Sequence, residues 1–215
     1  MKTAQCFSTA LAAGLVLAQG SSPAATVQHT WNFTVYLNDA SIGHHQFTVT
    51  EDDAGRKVRS EARFEVKFLL FKAYSYAHRA DETWRGDCLA ELQAYTNDNG
   101  EQIIVNGAVL DGRFKLRRDQ VESTLPACVM TFAYWHPRLV EQRRLLNPQT
   151  GEYTDVHITL RGQEPISVRG KPVNARRYHL EAGKFQIELW YAEGQQWVAL
   201  DSPLDNGRRL RYRIE

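Results

Sequence analysis

Histidines and arginines set among aromatic rings are the residues in this chain best suited to do chemistry, and two stretches concentrate them. In "AYSYAHRADETW", residues 73–84, Tyr74, Tyr76, His78 and Trp84 recur at even spacing, which puts all four on one face of a strand. In "FAYWHPRLVEQRR", residues 132–144, Phe132, Tyr134, Trp135 and His136 run into an arginine pair, Arg143-Arg144. Aromatic walls with a few polar tips suit an apolar ligand oriented by one or two hydrogen bonds. An arginine fork at the mouth of such a site would hold a carboxylate or phosphate head group. The candidate binding set is therefore Tyr76, His78, Trp84, Tyr134, Trp135, His136 and Arg143. The plainer alternatives are rings that fill a sheet core and arginines that face water.

Other chemistries leave weaker traces. The chain has no G-x-S-x-G elbow, no H-E-x-x-H and no glycine-rich phosphate loop. A hydrolase or isomerase with His78 or His136 as base would have to assemble its partners from distant parts of the sequence. His44 and His45 are adjacent, so on a strand they point to opposite faces and cannot share one ion in regular geometry. No metal site, cofactor or catalytic residue is expected.

The elements that must position these residues are strands. In "KVRSEARFEVKFLLF", Val58, Ala62, Phe64, Val66, Phe68 and Leu70 share one face, while Arg59, Glu61, Arg63, Glu65 and Lys67 share the other. That alternation belongs to a strand with one buried and one wet face. "WNFTVYL", "IGHHQFTVT" and the segments 73–84, 89–96, 102–109, 113–123, 153–160, 165–169, 176–181, 184–192, 196–200 and 208–214 repeat it between turns rich in Asn, Asp and Gly. So many antiparallel strands must curl, as a large curved sheet or open barrel, or fold as a two-sheet sandwich. The exception is "RLVEQRRLLN", whose apolar spacing after Pro137 predicts one short helix, stopped by Asn147-Pro148 and acting as lid or plug.

Residues 1–24 have the layout of a signal peptide: a basic start, an apolar run from Cys6 to Leu17, and small residues before cleavage after Gly20 or Ala24. The apolar run is too short for an ordinary membrane-spanning helix. A soluble, exported product is expected, periplasmic or secreted, with residues 25–215 as one domain. Without the leader's single lysine, 25 basic face 25 acidic side chains, a balance that argues against a nucleic-acid partner. Two cysteines then remain, Cys88 and Cys128, and in an oxidising compartment they read as one disulfide. Two buried thiols or a thiol pair on a metal are the alternatives, and no C-x-x-C spacing favours the metal.

"YLNDASIGHHQF", "CVMTFAYWHP" with "LLNPQTGEY", "RRYHL" and "IELWYAEGQQWVAL" with "GRRLRYRI" together resemble a family of exported bacterial proteins known as a domain of unknown function. The resemblance covers residues 27–215 and implies a periplasmic all-β domain built on a large curved antiparallel sheet. It carries over no reaction and no catalytic residue. The implied architecture is similar in kind to periplasmic lipid and lipoprotein carriers, whose curved sheet holds acyl chains under a lid. The leading expectation is a non-enzymatic carrier of an apolar or acyl ligand. A histidine-based hydrolase and a structural partner in the cell envelope are the alternatives.

Overall fold

Period-two alternation of apolar and polar side chains leaves each strand one face to bury, and fourteen strands meet that demand in a single antiparallel sheet. The computed structural model describes residues 27–53, 55–68, 71–204 and 207–215; the leader residues and Leu70 lie outside them. The first half runs β1 (Val27–Leu37), β2 (Ala40–Asp52), β3 (Gly55–Phe68), β4 (Phe71–Arg85), β5 (Cys88–Asp98), β6 (Glu101–Leu110), β7 (Arg113–Arg118) and β8 (Val121–Leu125). The second half runs β9 (Arg144–Leu146), β10 (Tyr153–Val168), β11 (Lys171–Ala182), β12 (Phe185–Tyr191), β13 (Trp197–Pro203) and β14 (Arg209–Ile214). Strand order is β8 to β1, then β14 to β9, so the two meanders join where β1 pairs with β14. The sheet does not close: β8 and β9 are its two ends.

The alternation expected from sequence is present. Phe33 and Val35 are buried, as are Val58 and Ala62, while Arg59, Glu61, Arg63, Glu65 and Lys67 face water. His44 is exposed and His45 buried, as adjacency on a strand requires. The register stacks inner side chains in rows across the sheet. One row holds Phe33, His45, Ala62, His78 and Thr96; the row above it holds Val35, Phe64, Tyr76 and Tyr212.

Three elements differ from the sequence reading. The segment 113–123 is not one strand but the hairpin β7–β8, turned at Asp119, which takes a positive φ of 51°. The segments 153–160 and 165–169 form one strand, β10, which passes through an irregularity between Leu160 and Gly162. The short helix is only a 3₁₀ turn, Pro137–Glu141, and Arg144–Leu146, expected within it, is instead strand β9. The reason is the tight connection that follows: the Gly151 N–H donates to the Asn147 carbonyl, turning the chain so that β9 pairs with Tyr153–Asp155. Ladder hydrogen bonds available to β9 outweigh a weak helical preference.

Between β8 and β9 the chain passes inside the curved sheet. Cys88 and Cys128 are disulfide-bonded, and beside them the Leu89 N–H donates to the Val129 carbonyl, fixing where the segment enters. Val129, Met130, Ala133, Trp135 and Leu139 are all buried, so this stretch is a plug that fills core. No helix among the described residues is long and apolar enough to cross a membrane.

One glycine shows how tightly β2 and β3 approach. A Cβ at Gly43 would lie 1.9 Å from the Arg63 carbonyl oxygen, at a φ of +153° that side chains disfavour. Replacing Gly43 with Ala should cost roughly 3 kcal/mol, since neither strand can withdraw without breaking the ladder. Denaturant unfolding checks this, and an unchanged midpoint would contradict it.

Candidate functional site

The expected site residues separate into two groups at different heights inside the sheet. Strand parity puts Tyr76, His78 and Trp84 on one face, but eight residues of extended chain between Tyr76 and Trp84 span roughly 27 Å. Trp84 therefore lies near one end of the molecule and Tyr76 near the other.

The lower group is Trp84, Trp135 and His136. Trp84 is fully buried, with Trp135 edge-on at 5.4 Å and the His136 ring stacked at 5.6 Å. His136 caps the 3₁₀ turn: its Nδ1 accepts the Arg138 N–H at 3.2 Å. Its Nε2–H donates to Asp87 Oδ1 at 3.3 Å, and Arg56 Nη1 lies 3.0 Å from the same nitrogen. Burial and then the Arg56 charge lower its pKa, and at 1% exposure it meets no solvent. The group holds the plug in place.

Beneath the plug lies a residue that sequence reasoning did not single out. Glu82 is buried, and its Oε2 accepts the Trp84 Nε1–H at 2.8 Å. Burial pushes its pKa up to about 7, against the opposing hydrogen bonds from Trp84 and Thr131. Its inward parity between His78 and Trp84 was readable; its burial depended on the plug.

The upper group lines a different environment. Phe64, Val66, Tyr74, Tyr76 and Leu210 face inward yet remain half-buried, with Ile42 beside them and Tyr178 on β11. Phe64 and Tyr76 stack at 5.2 Å, and Tyr212 stands edge-on to Phe64 at 6.2 Å. Burial raises the hydroxyl pKa values of Tyr74, Tyr76, Tyr134, Tyr191 and Tyr212; Tyr134 adds to the rise at Tyr212 and Tyr191, which brings it into the same group. Tyr134 is itself half-buried and packs against Trp197 at 5.1 Å. Tyr74, Tyr76 and Tyr134, whose hydroxyls are desolvated while their side chains still carry accessible surface, mark an inner wall.

The floor of this region holds two neutral histidines. His78 Nδ1 lies 2.9 Å from Thr96 Oγ1, whose own O–H donates to the Gln149 carbonyl, so His78 is the donor of that pair. His45 Nε2 lies 2.7 Å from Ser60 Oγ, and its Nδ1 is 3.5 Å from the Tyr212 hydroxyl. Burial lowers His78 to about 4 and holds His45 well below the ordinary range. Among the described residues Tyr76 carries the one buried side-chain polar atom with no partner, its hydroxyl. Leaving such a group unpaired costs roughly 1–3 kcal/mol.

Arg143, expected at the mouth of the site, is exposed, and its carbonyl accepts the Val156 N–H. Its neighbour Arg144 pairs with Asp155 and lies over the Tyr153 ring at 4.2 Å. No group of three or more metal-ligating side chains occurs among the described residues. Two open depressions lie elsewhere. One, of about 600 Å³, is lined by polar side chains of the outer sheet face such as Thr48, Arg59, Asp81 and Gln93. The other, of about 490 Å³, sits between the β10–β11 turn and β14.

The buried ionisable groups give the fold opposed pH dependences. Glu82 titrates higher folded than its ordinary 4.5, so its contribution is complete at acid pH and lost as pH rises through about 7. His78 titrates lower folded than its ordinary 6.5, so its contribution is complete above 6.5 and lost as pH falls to about 4. Each is worth about 3 kcal/mol at most. Glu82→Gln should therefore stabilise the protein above neutral pH and leave it nearly unchanged near pH 4.5. Chemical denaturation across pH measures this, and equal effects at both ends would contradict it.

Residues 33–215 match the family model described as a domain of unknown function, DUF6134. The chain is also similar in fold to a crystal structure of a beta-barrel-like protein of domain of unknown function DUF1849 from Brucella abortus. The TM-score is 0.60 at 7% identity, over 90% of this chain and 97% of that one. Likeness at that identity bears on fold alone. A comparison with curated proteins finds no match.

Proposed function

The chain belongs to the DUF6134 family, and we propose that it is a binding protein for a small apolar or amphiphilic molecule. The ligand lies in the upper half of the sheet's interior, against Phe64, Val66, Tyr74, Tyr76 and Tyr178, with Tyr134 of the plug opposite. The observation that carries this reading is the contrast between the two halves. Around Trp84 the inner side chains of Val58, Ala80, Glu82, Leu89 and Leu92 are all buried and only Arg56 is half-buried, whereas Phe64, Tyr74 and Tyr76 on the upper inner wall are half-buried and aromatic. Such a surface, apolar with convergent hydroxyls, suits an amphiphile. The plug then serves as the floor of the site. The reading places the protein in the periplasm or outside the cell, supported by the leader-like residues 1–24 and by the Cys88–Cys128 pairing.

Nile red fluorescence should report saturable, one-to-one binding. Val66→Trp fills the same space from a half-buried position, and should weaken that binding about tenfold, equivalent to about 1.4 kcal/mol. Absence of binding, or binding indifferent to Val66→Trp, would remove this reading.

The Ser60–His45 contact favours a second reading, a hydrolase with Ser60 as nucleophile and His45 as base. The group facing the other ring nitrogen is a phenol at 3.5 Å, which orients an imidazole less firmly than a carboxylate. A fluorophosphonate probe decides: the binding reading expects no adduct. A Ser60 adduct abolished by His45→Gln would establish the hydrolase.

A further inference from the structure

The inner wall also specifies the charge of its ligand, an inference that rests on the binding reading above. We propose that the site takes an amphiphile with an uncharged polar head, such as an ester or alcohol, held by a hydrogen bond from the Tyr76 hydroxyl.

Three of the surrounding hydroxyls have protein partners. Tyr74 is hydrogen-bonded to Asp98, Tyr191 donates to the Tyr134 carbonyl at 2.9 Å, and Tyr212 lies 3.5 Å from His45. Tyr76 has none, although its hydroxyl oxygen is buried and its ring is fixed by the stack on Phe64. A desolvated O–H without a protein partner gains a hydrogen bond when a ligand displaces the side chains that cover it.

The charges around it rule against an anionic head. The upper wall residues Ile42, Phe64, Val66, Tyr74, Tyr76, Tyr178, Leu210 and Tyr212 include no cation. The two histidines of the floor, His45 and His78, are held neutral by burial. Among the described residues, Arg56 faces inward only at the distant Trp84 end, and the other inward-facing cation on nearby strands is Arg118, on β7. It is separated from β4 by β5 and β6, packs against Gly151, and lies within 4.0 Å of Asp119. Among the described residues, a charged group in contact with the wall is the carboxylate of Asp98, which repels a second anion. A carboxylate or phosphate entering here would lose its hydration and meet no compensating charge. An ester or alcohol head loses less and gains the Tyr76 hydrogen bond.

Displacement of Nile red by monoolein, and by oleate at a pH where its carboxyl is ionised, compares the two heads on one acyl chain. Monoolein should bind at least about tenfold more tightly than oleate. Tyr76→Phe should weaken monoolein by about tenfold and leave oleate unchanged. Because the substitution removes an unpartnered hydroxyl, the ligand-free variant should unfold at the same or a higher temperature. Oleate binding as tightly as monoolein would overturn the proposal, as would monoolein binding that ignores Tyr76→Phe, the result expected if the hydroxyl stays covered by its neighbours. Failure of Nile red and both lipids to bind would overturn the binding reading as well.

Discussion

Fourteen strands curled into an open sheet leave a large apolar face that the strands alone cannot cover, and the packing of Trp84 against Trp135 and His136 is what closes it. Every other feature of the interior follows from where that contact sits. It draws the chain between β8 and β9 inside the sheet, where Val129, Met130 and Leu139 take up core positions. Tryptophan is suited to this, since one side chain removes some 150–250 Å² from water and its N–H still needs a partner. Glu82 supplies that partner, and so a carboxyl is drawn into the core along with the indole.

The same contact explains why the interior has two characters. Because the plug is anchored at the Trp84 end and its exit is set by β9 pairing with β10, its bulk lies low. The rows of inner side chains above His45 and His78 are left to cover themselves, and they do so incompletely: Phe64, Tyr74, Tyr76 and Tyr178 stay half-buried. A fold serving stability alone would meet this with a larger plug or with smaller side chains. On the proposed reading, rigid aromatic rings with hydroxyl tips instead present a surface to a ligand.

Much of the fold was legible in residue types. Parity alone put Phe33 and Val35 inside, Arg59 and Glu61 outside, and His44 and His45 on opposite faces, because the pleat repeats every two residues. The stop at Asn147-Pro148 could also be read. Height along the sheet could not: Tyr76 and Trp84 have the same parity, and only the position of the plug makes one a wall residue and the other core. The Ser60–His45 contact depends on the register between β2 and β3, which neither strand carries by itself. "RLVEQRRLLN" misled because its apolar spacing fits one helical face, whereas its fate was decided by a hairpin partner downstream.

The central claim, that the interior is filled at Trp84 and open at Tyr76, can be tested without knowing any ligand. Xenon enters apolar voids large enough to hold it and is located directly by its scattering. In a crystal of the ligand-free protein pressurised with xenon, the account predicts density beside Phe64, Tyr76 and Tyr178 and none around Trp84 and Trp135. Xenon lodged against Trp84, or an upper interior that takes up none, would contradict it.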